Sequence, residues 1–297
     1  MTKPISHFQI IGVRYANADY YPGIRIPLDA YAGSGVYEVA GVPFDVIEPF
    51  LEDSQRTADE VQNIGILGGL IAEEVVAARK QGHAVCMTGG NCCHITGVVG
   101  GLQDAQGPDA RIGLVWFDAH GDYNTSKTTL SGMLGGMPVA VAVGLTHSNW
   151  REASHIAAPL PTERILLVDV RNLDSAEEQL IRATDTVIAS IAPDFPGDMN
   201  LKDAVETLSD NVDLIYFHID SDILDERYTP NHITKEPNGP DMDQVKAAID
   251  IVMATGKVAA FAVVSVFGDG EGAEIAVDSG IELIRSGLES WKKYGMT

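Results

Sequence analysis

Residues 112–122 read Ile-Gly-Leu-Val-Trp-Phe-Asp-Ala-His-Gly-Asp, an uncharged run Ile112–Phe117 that passes directly into Asp118, His120 and Asp122. A short apolar run bounded by polar residues predicts a strand buried on both faces. Extended backbone sends residues i, i+2 and i+4 to one side. The three ligand-type side chains are therefore expected to converge on one point. The device recurs at residues 214–222, where a predicted strand over 214–219 runs into Asp220-Ser221-Asp222, with Asp225 close behind.

Outward from these two stretches, apolar runs alternate with helical-period segments. Strands are predicted over Phe8–Val13, 83–87, 165–170, 186–190 and 258–266. Helices are predicted over 61–81, 138–145, Ser175–Arg182, 201–209, 241–254 and 275–291. This alternation predicts an α/β fold, a mostly parallel sheet covered on both faces. No Pro/Ser-rich linker, repeat or low-complexity tract divides the chain, so residues 1–297 are expected to form one domain. The polar stretches 14–41 and 226–240 are too long for simple connections, and such loops often carry function. Ligands of open parallel sheets collect at the strands' carboxyl ends. Polar clusters follow four predicted strands here, after Met87, Phe117, Val170 and Ile219.

The composition narrows the partners. With 42 Asp and Glu against 20 Lys and Arg, the formal charge is −22. Nucleic acid and anionic membrane both require basic patches, so neither is an expected partner. Divalent metal and cationic ligands remain compatible, although acidity alone most simply serves solubility. No run of about 18 apolar residues suggests a membrane span. Residues 1–7 lack the three-part form of a signal peptide. Cys86, Cys92 and Cys93 are too few and too clustered for a disulfide framework,. A reducing cytoplasm is the expected location.

Taken alone, Asp220-Ser221-Asp222 reads as a helix cap or loop bracket. Together with Asp118, His120 and Asp122 it becomes a set of five donors, four of them carboxylates. Such a set repels itself severely without cations. Two divalent ions resolve the conflict, and Mn(II) suits bridging carboxylates. Nucleophilic catalysis by Cys92 or Cys93 would leave those carboxylates unexplained and set against a thiolate. Gly89-Gly90 is too little to suggest a phosphate loop.

Residues 116–122 resemble the DAHxD signature of the arginase (ureohydrolase) family. Residues 218–225 resemble its SxDxDxxDP signature, with His218 for Ser, and Glu226 follows where the family has Pro. Residues 89–92 resemble its GGDH signature. The resemblance implies a three-layer α/β/α fold, a binuclear Mn centre and a trimeric or hexameric homo-oligomer. It implies a metal set of Cys92, Asp118, His120, Asp122, Asp220 and Asp222, with Cys92 standing where the family has His. His94, two residues further on, is the alternative donor. A thiolate there is softer than imidazole and shifts metal preference. Core packing is the ordinary fate of a free cysteine.

The same resemblance assigns Asn124, Thr129 and Ser131 to the substrate α-carboxylate and Asp174, with Glu177 nearby, to the α-amino group. Read alone, Asp174 is an N-cap for the following helix. The family's proton-transfer His falls on Gly135, and its guanidinium-binding Glu falls near Ser265. Asp269, Glu271 and Glu274 are candidates for the lost carboxylate, and His147, His218 and His232 for the lost proton donor. The implied reaction is attack on a guanidine or amidine carbon by hydroxide generated at the metals, with Asp122 and His120 as the catalytic residues. The expected substrate is an arginine-like guanidino or amidino amino acid, an N-hydroxylated arginine included. Agmatinase or formimino-type activity, or a weakly catalytic binder of metal or amino acid, are the alternatives.

Overall fold

The computed structural model describes residues 2–107 and 109–296. Its elements run β1 (Phe8–Val13), β2 (Tyr15–Ala16), β3 (Asp19–Tyr20), α1 (Pro22–Ser34), β4 (Phe44–Ile47), α2 (Glu60–Lys80), β5 (Ala84–Gly89) and α3 (Ile95–Gln106). The middle of the chain contributes β6 (Ile112–Phe117), α4 (Pro138–Ala142), α5 (Ser148–Ala153), β7 (Ile165–Val168), α6 (Ser175–Arg182), β8 (Val187–Ser190) and β9 (Met199–Asn200). It closes with α7 (Leu201–Asn211), β10 (Leu214–Asp220), α8 (Met242–Met253), β11 (Val258–Val264) and α9 (Ala273–Tyr294).

Nine strands form one sheet in the order β4-β1-β5-β11-β10-β6-β7-β8-β9. Every pairing in it is parallel. All strand carboxyl ends therefore lie along one edge. The side-chain alternation of β6 divides the core: Leu114 and Trp116 pack with α2, α3, α4 and α5, whereas Val115 and Phe117 pack with α7, α8 and α9. The result is the three-layer α/β/α arrangement expected from the sequence, because uncharged strands must be covered on both faces.

Three helices escape the sequence reading, α1, α3 and the short α5. Stretch 14–41 holds the β2–β3 hairpin and α1 rather than a long loop. Pro22 starts α1 and Pro27 lies inside it, which disguises the helix; Ile24, Leu28 and Tyr31 are buried at i, i+4 and i+7. Burial of that stripe prevails over the weak propensity. Helix α3 was hidden by Gly97, Gly100 and Gly101, which are poor helix formers in isolation. Here they admit close packing: a Cβ on Gly97 would lie 2.5 Å from the Gly68 carbonyl oxygen, and one on Gly100 1.9 Å from that of Ser154. Helix α2 also corrects the expectation of no span-like segment, since its length and apolarity would suffice to cross a membrane. Ten of its residues are buried in this structure, including Gly65, Gly68 and Gly69, so it acts as a core helix.

The interlock of α3 with the chain after α5 predicts that Gly100→Ala costs about 3 kcal/mol through overpacking against backbone. In a chain of this size that lowers Tm by about 5 °C. An unchanged thermal melt would disprove the constraint.

Candidate metal centre and substrate cavity

Four central strands, β5, β11, β10 and β6, end beneath a cavity of about 320 Å³. After β5, Gly89 and Gly90 take φ of 72° and 71°, a left-handed pair that turns the chain sharply,. A Cβ on Gly89 would stand 2.6 Å from the Val13 carbonyl oxygen. The turn delivers Cys92 to the cavity wall. His94 goes elsewhere: its Nε2 meets the Asn17 carbonyl oxygen at 2.8 Å and its Nδ1 the Asn91 N–H at 3.0 Å. Between Cys92 and His94, only Cys92 lines the cavity.

The expected convergence of Asp118, His120 and Asp122 occurs, but not through an extended strand. Strand β6 stops at Phe117, and Asp118 Oδ1 accepts the His120 N–H at 2.6 Å, which turns the chain,. Asp122 then takes φ of 48°. Asp220 ends β10 and accepts the Asp222 N–H at 3.0 Å, so this pair also converges through a side-chain-closed turn. Short acidic side chains thus shape the backbone that aims them.

The donors form three groups, Cys92 with Asp118 and Asp122, Asp118 with His120 and Asp222, and Asp220 with Asp222 and His232. Within each group one donor atom per residue lies within 4.8 Å of the others. Asp118 and Asp222 each belong to two groups, as residues shared between neighbouring ions would. The Cys92 thiol donates to Asp220 Oδ2 at 2.9 Å and stands 3.6 Å from Asp118 Oδ2. Asp122 Oδ2 and His232 Nε2 are buried without hydrogen-bond partners. Buried orphans are rare in folded proteins and call for an explanation. Hard carboxylates, imidazole and one sulfur, with two unpartnered donor atoms among them, suit divalent cations.

Electrostatics agree. Burial, then neighbouring carboxylates, raises Asp118. Burial raises Asp122 as well. Burial and the charges of Asp220, Asp122 and Asp118 push the Cys92 thiol up. Burial opposes charging of His120, yet hydrogen bonds to Asp118, Asp222 and Glu236 overcome it and raise the ring. His232, also resisted by burial, is raised to about 9 by Asp220 and Asp222. The site holds protons wherever positive charge is needed, and cations would release them.

His120 has the orientation of a metal-binding imidazole. Its Nδ1 faces Asp118 Oδ1 at 3.2 Å and Asp222 Oδ2 at 3.1 Å, while Nε2 meets Glu236 Oε1 at 3.0 Å. A carboxylate behind a ligating His fixes the tautomer and raises basicity. Asn172 donates to the same Glu236 oxygen at 2.9 Å. Beneath them Arg171 pairs with Asp169 and donates to the carbonyls of Asp222, Ile223, Leu224 and Glu236. It ties the ligand loop to the 226–240 stretch. Neither Glu236 nor Arg171 was singled out as a site residue from the sequence. The available signals were the length of the 226–240 stretch for Glu236 and the polar cluster after Val170 for Arg171.

The substrate candidates divide. Asn124, Ser131, Asp174 and Glu177 line the cavity. Asn124 Nδ2 donates to Asp174 Oδ2 at 3.1 Å. Asp174 begins α6 as expected of a cap, with its N–H accepted by Glu177 Oε2 at 3.2 Å, and Glu177 Oε1 accepts the Tyr123 N–H at 2.8 Å. Thr129 is not among the lining residues; its Oγ1 accepts the Gly132 N–H at 3.0 Å. Gly135 and Ser265 do line the cavity. No replacement carboxylate comes from 269–274: Asp269 accepts the Tyr21 hydroxyl at 3.0 Å, and neither Glu271 nor Glu274 lines the wall. Of the histidines considered for proton delivery, His232 lines the cavity, whereas His147 and His218 do not. His218 is buried against Trp116, with ring centroids 4.0 Å apart.

A parallel sheet with buried metal donors at its carboxyl ends defines an α/β metal-dependent enzyme. Comparison with known proteins narrows the class. A model of the arginase family matches residues 39–287. The arginase of Bacillus caldovelox is 25% identical over 241 residues, which cover 77% of this chain and 79% of that protein. The arginase of Entamoeba histolytica is 30% identical over 188 residues, covering 62% and 61% respectively. Among solved structures, arginase from Bacillus subtilis matches with a TM-score of 0.80 at 20% identity, covering 95% of this chain and 98% of that one. Formimidoylglutamase from Bacillus subtilis matches at 0.72 and 15% identity, covering 98% and 88%. The chain belongs to the arginase family, and it is a ureohydrolase-type hydrolase.

Two predictions follow from these contacts. Glu236→Gln keeps the shape but weakens the hold on His120, and divalent-ion affinity measured by titration calorimetry should fall roughly 10–100-fold. Unchanged affinity would remove Glu236 from the centre. The second concerns His94, which burial pushes down from 6.5 to about 4. The unfolded chain therefore takes up this proton first. The residue's contribution is complete above pH 6.5 and is lost as pH falls, by about 3 kcal/mol at pH 4. Denaturant titrations of the native chain and His94→Asn should converge by that amount between pH 7 and 4. Parallel curves would show that His94 is not buried neutral.

Proposed function

We propose that the chain is a binuclear-metal hydrolase that cleaves a guanidine or amidine C–N bond of an arginine-like amino acid, with Mn(II) as its expected ion. One observation carries this reading: the three donor groups and the polar set Asn124, Ser131 and Asp174 open onto the same cavity. Cys92, Asp118, His120, Asp122, Asp220 and Asp222 would hold the ions. When bound, the cations supply positive charge that acidifies water and stabilises negative charge developing at the attacked carbon. Asp122 is the acid–base residue of this scheme, taking the water proton at Oδ2 and delivering it to the departing amine. That oxygen is buried, unpartnered and within the Cys92–Asp118 group. His120 holds its metal-facing Nδ1 in place through Glu236.

The amino-acid end supports an α-amino acid rather than a simple amine. Asp174 is suited to an α-ammonium, and Asn124 and Ser131 to the carboxylate. Agmatine has no carboxylate to occupy them. At the reacting end, Ser265 and Gly135 replace the family's Glu and His. A Ser hydroxyl is a poor partner for a full guanidinium charge. An N-hydroxylated guanidine is less basic and depends less on that lost carboxylate, which favours N-hydroxyarginine. The same reading makes the chain a single-domain cytoplasmic enzyme working as a trimer or hexamer.

The test is a substrate panel of arginine, N-hydroxyarginine and agmatine on Mn-loaded protein, with urea and hydroxyurea as readouts. Turnover of either amino acid is expected, and turnover of agmatine alone would overturn the assignment. Asp174→Asn keeps the helix cap but removes the charge, so kcat/KM for the amino acid should fall about 10–100-fold.

A further inference from the structure

The loop 226–240 brings His232 to the cavity, where the ring is 7% exposed and packed edge-on against Phe267 with centroids 5.3 Å apart. Its Nδ1 lies 2.8 Å from the Thr234 carbonyl oxygen. A carbonyl can only accept, and it stands closer to Nδ1 than the Thr234 N–H at 3.3 Å, so the tautomer with its proton on Nδ1 is the favoured one. Nε2 of the neutral ring then carries a free lone pair. That atom is buried, has no hydrogen-bond partner and stands 3.5 Å from Asp220 Oδ1. This is long for a charge-assisted hydrogen bond. It suits two donors on one ion, because ligands about 2.1 Å from a common centre lie about 3–4 Å apart. Asp220, Asp222 and His232 each offer an atom within 4.8 Å of the other two.

We propose that His232 is a metal ligand, its Nε2 binding the ion held by Asp220 and Asp222; this rests on the binuclear reading above. The surroundings fit a ligand better than a structural histidine. Thr234 Oγ1 lies 3.2 Å from Asp222 Oδ2, so the loop that supplies His232 also orients the neighbouring carboxylate. Charge points the same way. Four carboxylates and a Cys92 thiolate bring five negative charges against four positive from two dications. Imidazole adds a donor without adding to that excess. The other buried histidines near the centre stand outside the cavity lining: both ring nitrogens of His94 meet backbone, and His218 has Nδ1 2.9 Å from the Tyr216 hydroxyl and Nε2 3.6 Å behind Cys92 Sγ.

The experiment uses the full chain, stripped with chelator and reloaded with Mn(II), and reads metal stoichiometry, affinity and the imidazole nitrogens coupled to Mn(II) by electron spin-echo spectroscopy. The native chain should bind two ions with couplings from two imidazoles, those of His120 and His232. His232→Ala should lose one coupling and either release one ion or bind it at least 10-fold more weakly. If the variant keeps both ions at native affinity with two couplings, His232 is no ligand and the binuclear centre stands without it. If the native chain takes up no Mn(II), the centre and the ligand fall together. Should His232→Ala not fold, the native chain labelled with ¹⁵N-histidine decides alone: one coupled imidazole overturns the inference and two sustain it.

Discussion

Mutual repulsion among acidic side chains held away from water is the constraint around which this molecule is arranged. Asp118, Asp122, Asp220, Asp222 and Cys92 are all 5% exposed or less, yet they share one cavity. Two like charges 4 Å apart repel by about 4 kcal/mol even at an effective dielectric of 20. The fold meets this with every source of positive character available. Backbone N–H groups of Ala119, His120 and Asp222 donate to carboxylates. The rings of His120 and His232 are held in favour of charge, and Asp118 and Asp122 are pushed toward their neutral forms. Bound dications would replace these measures with a stronger one.

Such a site needs a rigid frame, and the parallel sheet provides it. Strands β5, β11, β10 and β6 are its central members, and their carboxyl ends lie side by side. Glycines then let α2, α3 and α5 pack closely enough to lock one face. Irregular backbone at the strand ends is held from behind by Arg171, whose guanidinium reaches carbonyls on two loops at once. The loop after β10 and the 226–240 stretch are thereby one mechanical unit.

The cavity lining is mixed in character. Its lining includes the short polar side chains Asn124, Ser131 and Asp174, with Asn124 Nδ2 donating to Asp174. Ser265, Thr234 and His232 line it too, and Thr234 donates to the donor carboxylate Asp222. Cys92 sets the donor groups apart as well, since a thiolate in a ligand role alters both charge and softness.

Much of this was legible in one dimension. Uncharged runs such as Ile112–Phe117 specify buried strands, and the residues following them must emerge at a sheet edge, so Asp118, His120, Asp122, Asp220 and Asp222 were readable as a convergent set. Cys92 was readable through its position after Gly89-Gly90. The glycine-rich α3 and proline-bearing α1 were not, because packing against distant chain overrides local propensity. Nor were the turns that aim the ligands, which close through side-chain to backbone hydrogen bonds rather than strand alternation. Tertiary structure alone placed Cys92 on the cavity wall and His94 away from it, set Thr129 apart from that wall, and brought Glu236 and His232 to donors ten or more residues away. Those choices depend on distances between loops that share no local pattern. Order along the chain determines which residues can leave a strand together, and only the packed loops determine which side chains meet.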